Sequence, residues 1–219
     1  IFSQLLLADE INRASPRTQS ALLQSMQEKN ITFAGKNYDL PEPFHVLATQ
    51  NPIEHEGTYP LPEAQLDRFL MEIDISYPSM EAEKKMLAST TSNNEKLPKV
   101  LFSKEKIIEL QKIIRDIPIG ETIVDLILKI IHNSRPPSSK INLVKNNVLW
   151  GPSPRASQSL LLASKSKAII EGRISPSIDD VIYLTKPILK HRMELSFSAK
   201  AEGITLDMII DEIIQSISL

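Results

Sequence analysis

The stretch Leu5-Leu6-Leu7-Ala8-Asp9-Glu10 decides how this chain reads, because four apolar residues run straight into two adjacent carboxylates. A short, fully apolar run is what a strand buried on both faces of a parallel sheet requires, so such a strand is expected at residues 5–8. Asp9 and Glu10 then stand at its carboxyl end, the edge at which open α/β sheets bind ligands. Ser15-Pro16 supplies a helix start, with Ser as N-cap and Pro at the first helical position. Ala21, Leu22 and Met26 carry that helix to residue 28.

Working outward, residues 31–33 and 38–40 flank Ala34-Gly35-Lys36-Asn37 and predict a small β-hairpin. Phe44 to Thr49 predicts a second buried strand, closed by Gln50-Asn51-Pro52. A third is expected over residues 69–76, where Phe69, Met71, Ile73 and Ile75 alternate with Leu70, Glu72, Asp74 and Ser76. A short helix is expected from Met80 to Ala88, followed by a polar Thr-Ser-Asn-Asn loop at 91–94. Beyond that the pattern turns helical and rich in Ile and Leu, with helices at 103–116, 121–133, 153–171, 177–190 and 205–217. The expected organisation is an α/β part at 1–77, a linker at 78–98 and an all-α part at 99–219.

With 219 residues, 42% hydrophobic and 24% charged, the composition is that of an ordinary globular chain and excludes collagenous, coiled-coil and disordered classes. Lys+Arg 25 against Asp+Glu 27 gives a net charge of -2, so no overall basic field draws the chain onto nucleic acid or an anionic membrane. Zero cysteines remove disulfides, thiolate catalysis and cysteine zinc sites together, and the four His are scattered. No apolar run reaches the ~18 residues that span a bilayer. The chain reads as cytoplasmic. It begins with Ile rather than Met and runs at once into a strand-like segment, so a longer natural polypeptide is expected.

Two adjacent carboxylates at a sheet edge form the Walker B arrangement. One can hold Mg²⁺, usually through water, while the next orients or deprotonates an attacking water for phosphoryl transfer. The alternative, two acids capping the next helix, stays open from the dipeptide alone. Asn51 ends the second strand, and Pro52 biases it toward an extended backbone, holding its carboxamide at the same edge; a turn-forming Asn is equally compatible. Arg68 could reach a neighbouring subunit's γ-phosphate, or pair with Asp67 or Glu63 on the surface. Arg155 lies in the first turn of a helix begun by Ser153-Pro154, where the helix dipole opposes a cation. The same helix end attracts phosphate, so a broken local rule there points to an anion site, although Ser15-Pro16-Arg17 repeats the tripeptide.

Taken together, these residues resemble the MoxR family of AAA+ ATPases over essentially the whole chain. The match is carried by LLLADEINRASPRTQSALLQSMQE, ITFAGKNYDLPEPFHVLATQNP, IEHEGTYPLPEAQLDRFL and GPSPRASQSLLLASKSKAIIEGR. The resemblance implies the C-terminal part of an AAA+ α/β domain followed by an α-helical lid, acting as a Mg-ATP-driven ring, usually hexameric. It implies Asp9 as the Mg²⁺ residue, Glu10 as catalytic base, Asn51 as sensor 1, Arg68 as the arginine finger and Arg155 as sensor 2. The hairpin around Ala34 to Asn37 matches an insertion that often faces the ring's channel, and His55 stands where Gln is expected. Clients implied by the family are proteins assembled, activated or loaded with metal, often ones with a von Willebrand factor A domain.

The phosphate-binding loop Gly-x-x-x-x-Gly-Lys-Ser/Thr is not in this sequence: Gly35-Lys36 has Asn30 in place of the first Gly and Asn37 in place of the hydroxyl. The family's sheet sets the strand bearing that loop between the Phe44–Thr49 strand and the one at 69–76, so a gap is expected there. Other readings are a non-hydrolysing interaction module, a magnesium-chelatase-like motor and a DNA-helicase-like motor. The charge balance weighs against the last.

Overall fold

The computed structural model describes residues 1–51, 57–91 and 99–217. Strand β1 (Leu5–Ala8) leads through a 3-10 turn at Ile11–Arg13 into helix α1 (Pro16–Glu28). Ser15 caps α1 as its side chain accepts from the Thr18 N–H, and Pro16 occupies the first turn, where its missing N–H costs nothing. The hairpin follows as β2 (Asn30–Phe33) and β3 (Lys36–Asp39). Its turn is the two residues Ala34 and Gly35, both at positive φ, which is tighter than expected and places Lys36 and Asn37 in the returning strand.

Strand β4 (His45–Ala48) pairs with β1 in parallel, in the register Leu5 to His45, Leu6 to Val46, Leu7 to Leu47 and Ala8 to Ala48. Leu6, Ala8, Val46 and Ala48 pack on α1 around Ile11, Leu22, Leu23 and Leu61. Burial on both faces is expected of such a strand; among the described residues side chains alternate across it and α1 covers one face, leaving Leu5, Leu7 and Leu47 exposed on the other.

A short helix α2 (Glu63–Leu66), not anticipated, ends in a turn at Asp67–Arg68. No strand forms over 69–76 among the described residues. Period-two alternation reports which way side chains face, not whether a neighbour supplies a hydrogen-bond ladder, and here the main chain is bound from the helical part instead. Arg192 donates to the carbonyls of Asp67, Phe69 and Leu70, and the Glu72 N–H donates to Pro187 O at 2.8 Å. His55 and the polar stretch at 92–98 lie outside the described residues.

The helical part comprises α3 (Met80–Thr90), α4 (Lys104–Asp116), α5 (Glu121–Asn133), α6 (Asn142–Asn147), α7 (Pro154–Ile170), α8 (Ile178–Leu189), α9 (Phe197–Ala201) and α10 (Leu206–Ile217). Two short antiparallel strands, β5 (Val148–Trp150) and β6 (Glu194–Leu195), join its middle. Helix α5 buries Ile123, Ile127, Ile130 and Ile131, the spacing of one helical face. These meet Leu160 of α7, Val181 and Ile188 of α8 and Ile209, Ile210 and Ile213 of α10 in one core. Each such side chain contributes about 1.5–3 kcal/mol by leaving water. Helix α8 starts with a reciprocal capping box between Ser177 and Asp180. The small elements α6, β5, β6 and α9 carried no periodic signal long enough to read.

Candidate functional site

At the carboxyl ends of β1 and β4 the chain turns sharply. Glu10 takes a left-handed conformation, φ 47° and ψ 53°, sparsely populated for a residue with a side chain. Thr49 holds it there. Its hydroxyl accepts from the Glu10 N–H at 2.8 Å and donates to Asp9 Oδ1 at 2.6 Å, while its carbonyl accepts from the Ile11 N–H at 2.9 Å. Arg13 Nε pairs with Glu10 Oε2 at 3.0 Å. One hydroxyl just past the end of β4 thus fixes the Asp9 carboxylate and the Glu10 backbone, while Arg13 holds the Glu10 carboxylate, and no sequence signal distinguished Thr49 beyond its place at the end of an expected strand.

Asn51 lies at the same edge, and its carbonyl accepts from Asn12 Nδ2 at 3.2 Å. Gln19, fully buried on α1, ties the turn down by donating to the carbonyls of Ile11 at 3.1 Å and Tyr59 at 2.9 Å. Asp9, Glu10 and Asn51 are therefore gathered at one edge by their own strands.

Arg68 and Arg155 lie elsewhere. They line a cavity of about 380 Å³ between α1, the Phe44–Val46 edge, the Asp67–Leu70 turn and α7. Asp9, Glu10 and Asn51 are not among its walls. This opening separates the two segments that the family's plan separates by a further strand. Arg68 is exposed and bonds Gln27 Oε1 of α1, not Asp67 or Glu63. Arg155 pairs with Asp67 Oδ2 at 3.6 Å, so a carboxylate accounts for the cation in the first turn of α7.

Asp67 is the joint between the two parts. It is 9% exposed. Its Oδ2 accepts from the Ser153 hydroxyl at 2.6 Å, and its Oδ1 from Arg192 Nε at 2.9 Å. Arg192, 1% exposed, spends its remaining donors on the carbonyls of Asp67, Phe69, Leu70 and Ile188 and on Ser159 Oγ. Burial pushes the Arg192 guanidinium below its ordinary range, against the pull of Asp67. Beside it His191 is held down to about 4, first by burial and then by the Arg192 charge. Neither Asp67 nor Arg192 was singled out in the sequence, since their partners lie far apart along the chain.

Among the described residues no cluster of three or more His, Cys, Asp or Glu could hold a metal unaided. A lone Asp9 carboxylate at an open edge is the donor set for Mg²⁺ that arrives with phosphate, since that ion takes one or two carboxylates and keeps waters and substrate oxygens. Asp9 and its neighbours fit such a group.

The site is an α/β part whose parallel strand pair ends in paired carboxylates, with a helical part fastened beside it through Asp67. The family described as "ATPase family associated with various cellular activities (AAA)" matches residues 1–71, and "AAA lid domain" matches 142–213. Chaperone MoxR1 of Mycobacterium tuberculosis is 39% identical over 220 residues, with all of this chain matched. YeaC of Bacillus subtilis is 41% identical over 221 residues. A crystal structure of a candidate ATPase from Cytophaga hutchinsonii superposes with a TM-score of 0.94 at 37% identity over 98% of the chain. The chain spans 58%, 66% and 66% of the lengths of these three proteins. It belongs to the MoxR family of AAA+ ATPases. Among the described residues no helix is long and apolar enough to cross a membrane.

Proposed function

We propose that this chain is the catalytic-edge and lid portion of a Mg-ATP-driven ATPase, whose turnover works a chaperone-like assembly, activation or metal loading of partner proteins. Residues 1–77 form its AAA+ part, 78–98 a linker and 99–219 the lid. One observation carries the proposal: Thr49 holds Asp9 and Glu10 side by side at the carboxyl end of β1. Bound Mg-ATP supplies the γ-phosphoryl electrophile and a metal charge that offsets the charge developing on it. Asp9 would hold the Mg²⁺ through its carboxylate. Glu10, steadied by Arg13, accepts the proton of the attacking water. Asn51 orients that water with its carboxamide. Arg68, exposed in the turn after α2, is offered to a neighbouring subunit, and Arg155 links the lid to nucleotide. The assembly is a ring, a hexamer, in the cytoplasm, and its client carries a von Willebrand factor A domain.

The test uses the natural polypeptide. Glu10→Gln should keep nucleotide binding and abolish phosphate release, while Arg68→Ala should be inactive alone. Mixing the two proteins should restore partial turnover, because mixed rings contain sites with an intact base and a neighbour's intact arginine. No recovery at any ratio would remove Arg68 from the finger role, and absence of nucleotide binding in the wild type would reduce the chain to a docking module.

A further inference from the structure

Arg155 and Asp67 hold each other unequally. Asp67 cannot leave: its Oδ1 is fixed by Arg192, which is closed in by carbonyls on both sides, and its Oδ2 by the Ser153 hydroxyl. Arg155 can leave. Its side chain is 46% exposed, its 3.6 Å approach to Oδ2 is an ion-pair distance rather than a short hydrogen bond, and it lines an open cavity. The Asp67 carboxylate also sits on Ser153, the N-cap of a 17-residue helix, where the N–H groups and the dipole favour an anion. It presents to a guanidinium the same kind of anionic oxygen acceptor that a phosphate does.

We propose that Asp67 is a positioning residue that parks Arg155 and competes with the nucleotide's terminal phosphate for that guanidinium. The proposal rests on the sensor role given to Arg155 above. When nucleotide arrives, Arg155 exchanges one anion for another of higher charge, while the Ser153 and Arg192 bonds to Asp67 persist. The lid stays fastened as the sensor moves. A half-exposed pair is weak, so the competition lowers nucleotide affinity by a small factor, about two- to fivefold.

The experiment is a titration of the natural polypeptide with a fluorescent, non-hydrolysable ATP analogue and Mg²⁺, over a cycle of Asp67→Asn, Arg155→Ala and both. Asp67→Asn keeps the volume and an acceptor for Ser153 while removing the charge. It should tighten binding about two- to fivefold, and the gain should vanish when Arg155 is Ala. No tightening, or equal tightening without Arg155, overturns the proposal. If Arg155→Ala alone leaves affinity unchanged, the sensor role itself fails, which is a separate result. Should Asp67→Asn not fold, the wild type still decides: on saturation with analogue, the Arg155 guanidinium ¹⁵N and Asp67 carboxyl ¹³C signals should move together. An Asp67 signal indifferent to nucleotide overturns the proposal.

Discussion

Replacing Arg192 with Met removes a guanidinium that is 1% exposed and bonded to Asp67, Phe69, Leu70, Ile188 and Ser159. Met fills much of the same volume, so the loss is electrostatic and not a cavity. The Asp67 carboxylate, 9% exposed, keeps only Ser153 and the loosely held Arg155, and several carbonyls lose their donor. Breaking one side of a buried pair costs about 3–5 kcal/mol. For a chain of this length, a midpoint falls about 2–4 °C per kcal/mol, so a drop of roughly 6–20 °C is expected. Calorimetry with limited proteolysis reads it, and cleavage should begin near residues 67–79 before the α5–α10 core opens. Arg192→Met with Asp67→Leu should recover most of the loss, since replacing both partners by apolar groups is often neutral. A single variant that loses under about 1 kcal/mol, or a double variant as unstable as the two losses added, would refute the assignment of Asp67–Arg192 as the joint.

Three further outcomes can be checked. His191 sits near 4 in the folded state against an ordinary 6.5, so the unfolded chain takes up its proton first and stability falls as pH drops through that window. Between pH 7 and 5 the wild type should lose about 2 kcal/mol more than His191→Gln in urea melts. Thr49→Val deletes the hydroxyl bridging Asp9 and Glu10, and turnover should fall about 10- to 100-fold with nucleotide affinity nearly kept, Thr49→Ser restoring most of it. An added Cβ on Gly151 would stand 2.4 Å from the Ser134 carbonyl oxygen, so Gly151→Ala should destabilise the lid by about 1–3 kcal/mol in the same melts.

Local chemistry was legible in the sequence wherever cause and effect lie within a few residues. Ser15-Pro16, Ser153-Pro154 and the Ile spacing of α5 announced their helices, and Leu5 to Glu10 announced a strand ending in carboxylates. Asp67 was not legible, because its donors stand 86 and 125 residues away and nothing near it marks it as an acceptor. The segment after Phe69 alternates as a strand would, yet its carbonyls are taken by Arg192, a competitor that alternation cannot reveal. The left-handed turn at Glu10 likewise depends on Thr49, brought alongside only when β1 and β4 pair.

The two hydrophobic cores are unequal, and that inequality has a dynamic consequence. The lid closes over residues such as Ile130, Leu160, Ile188 and Ile210, each almost sealed from water, whereas the sheet part rests on Ile11, Leu22, Leu23 and Leu61 with Leu5, Leu7 and Leu47 left bare. Free energies of local opening follow buried apolar area, so amide protons of α5 and α8 are expected to exchange only on global unfolding, more slowly than those of elements packed on a smaller core. Among the described residues, the edge that carries Asp9 and Glu10 is therefore held more by the hydrogen bonds of Thr49 and Gln19 than by apolar packing, and whatever settles on that edge gains leverage over its order.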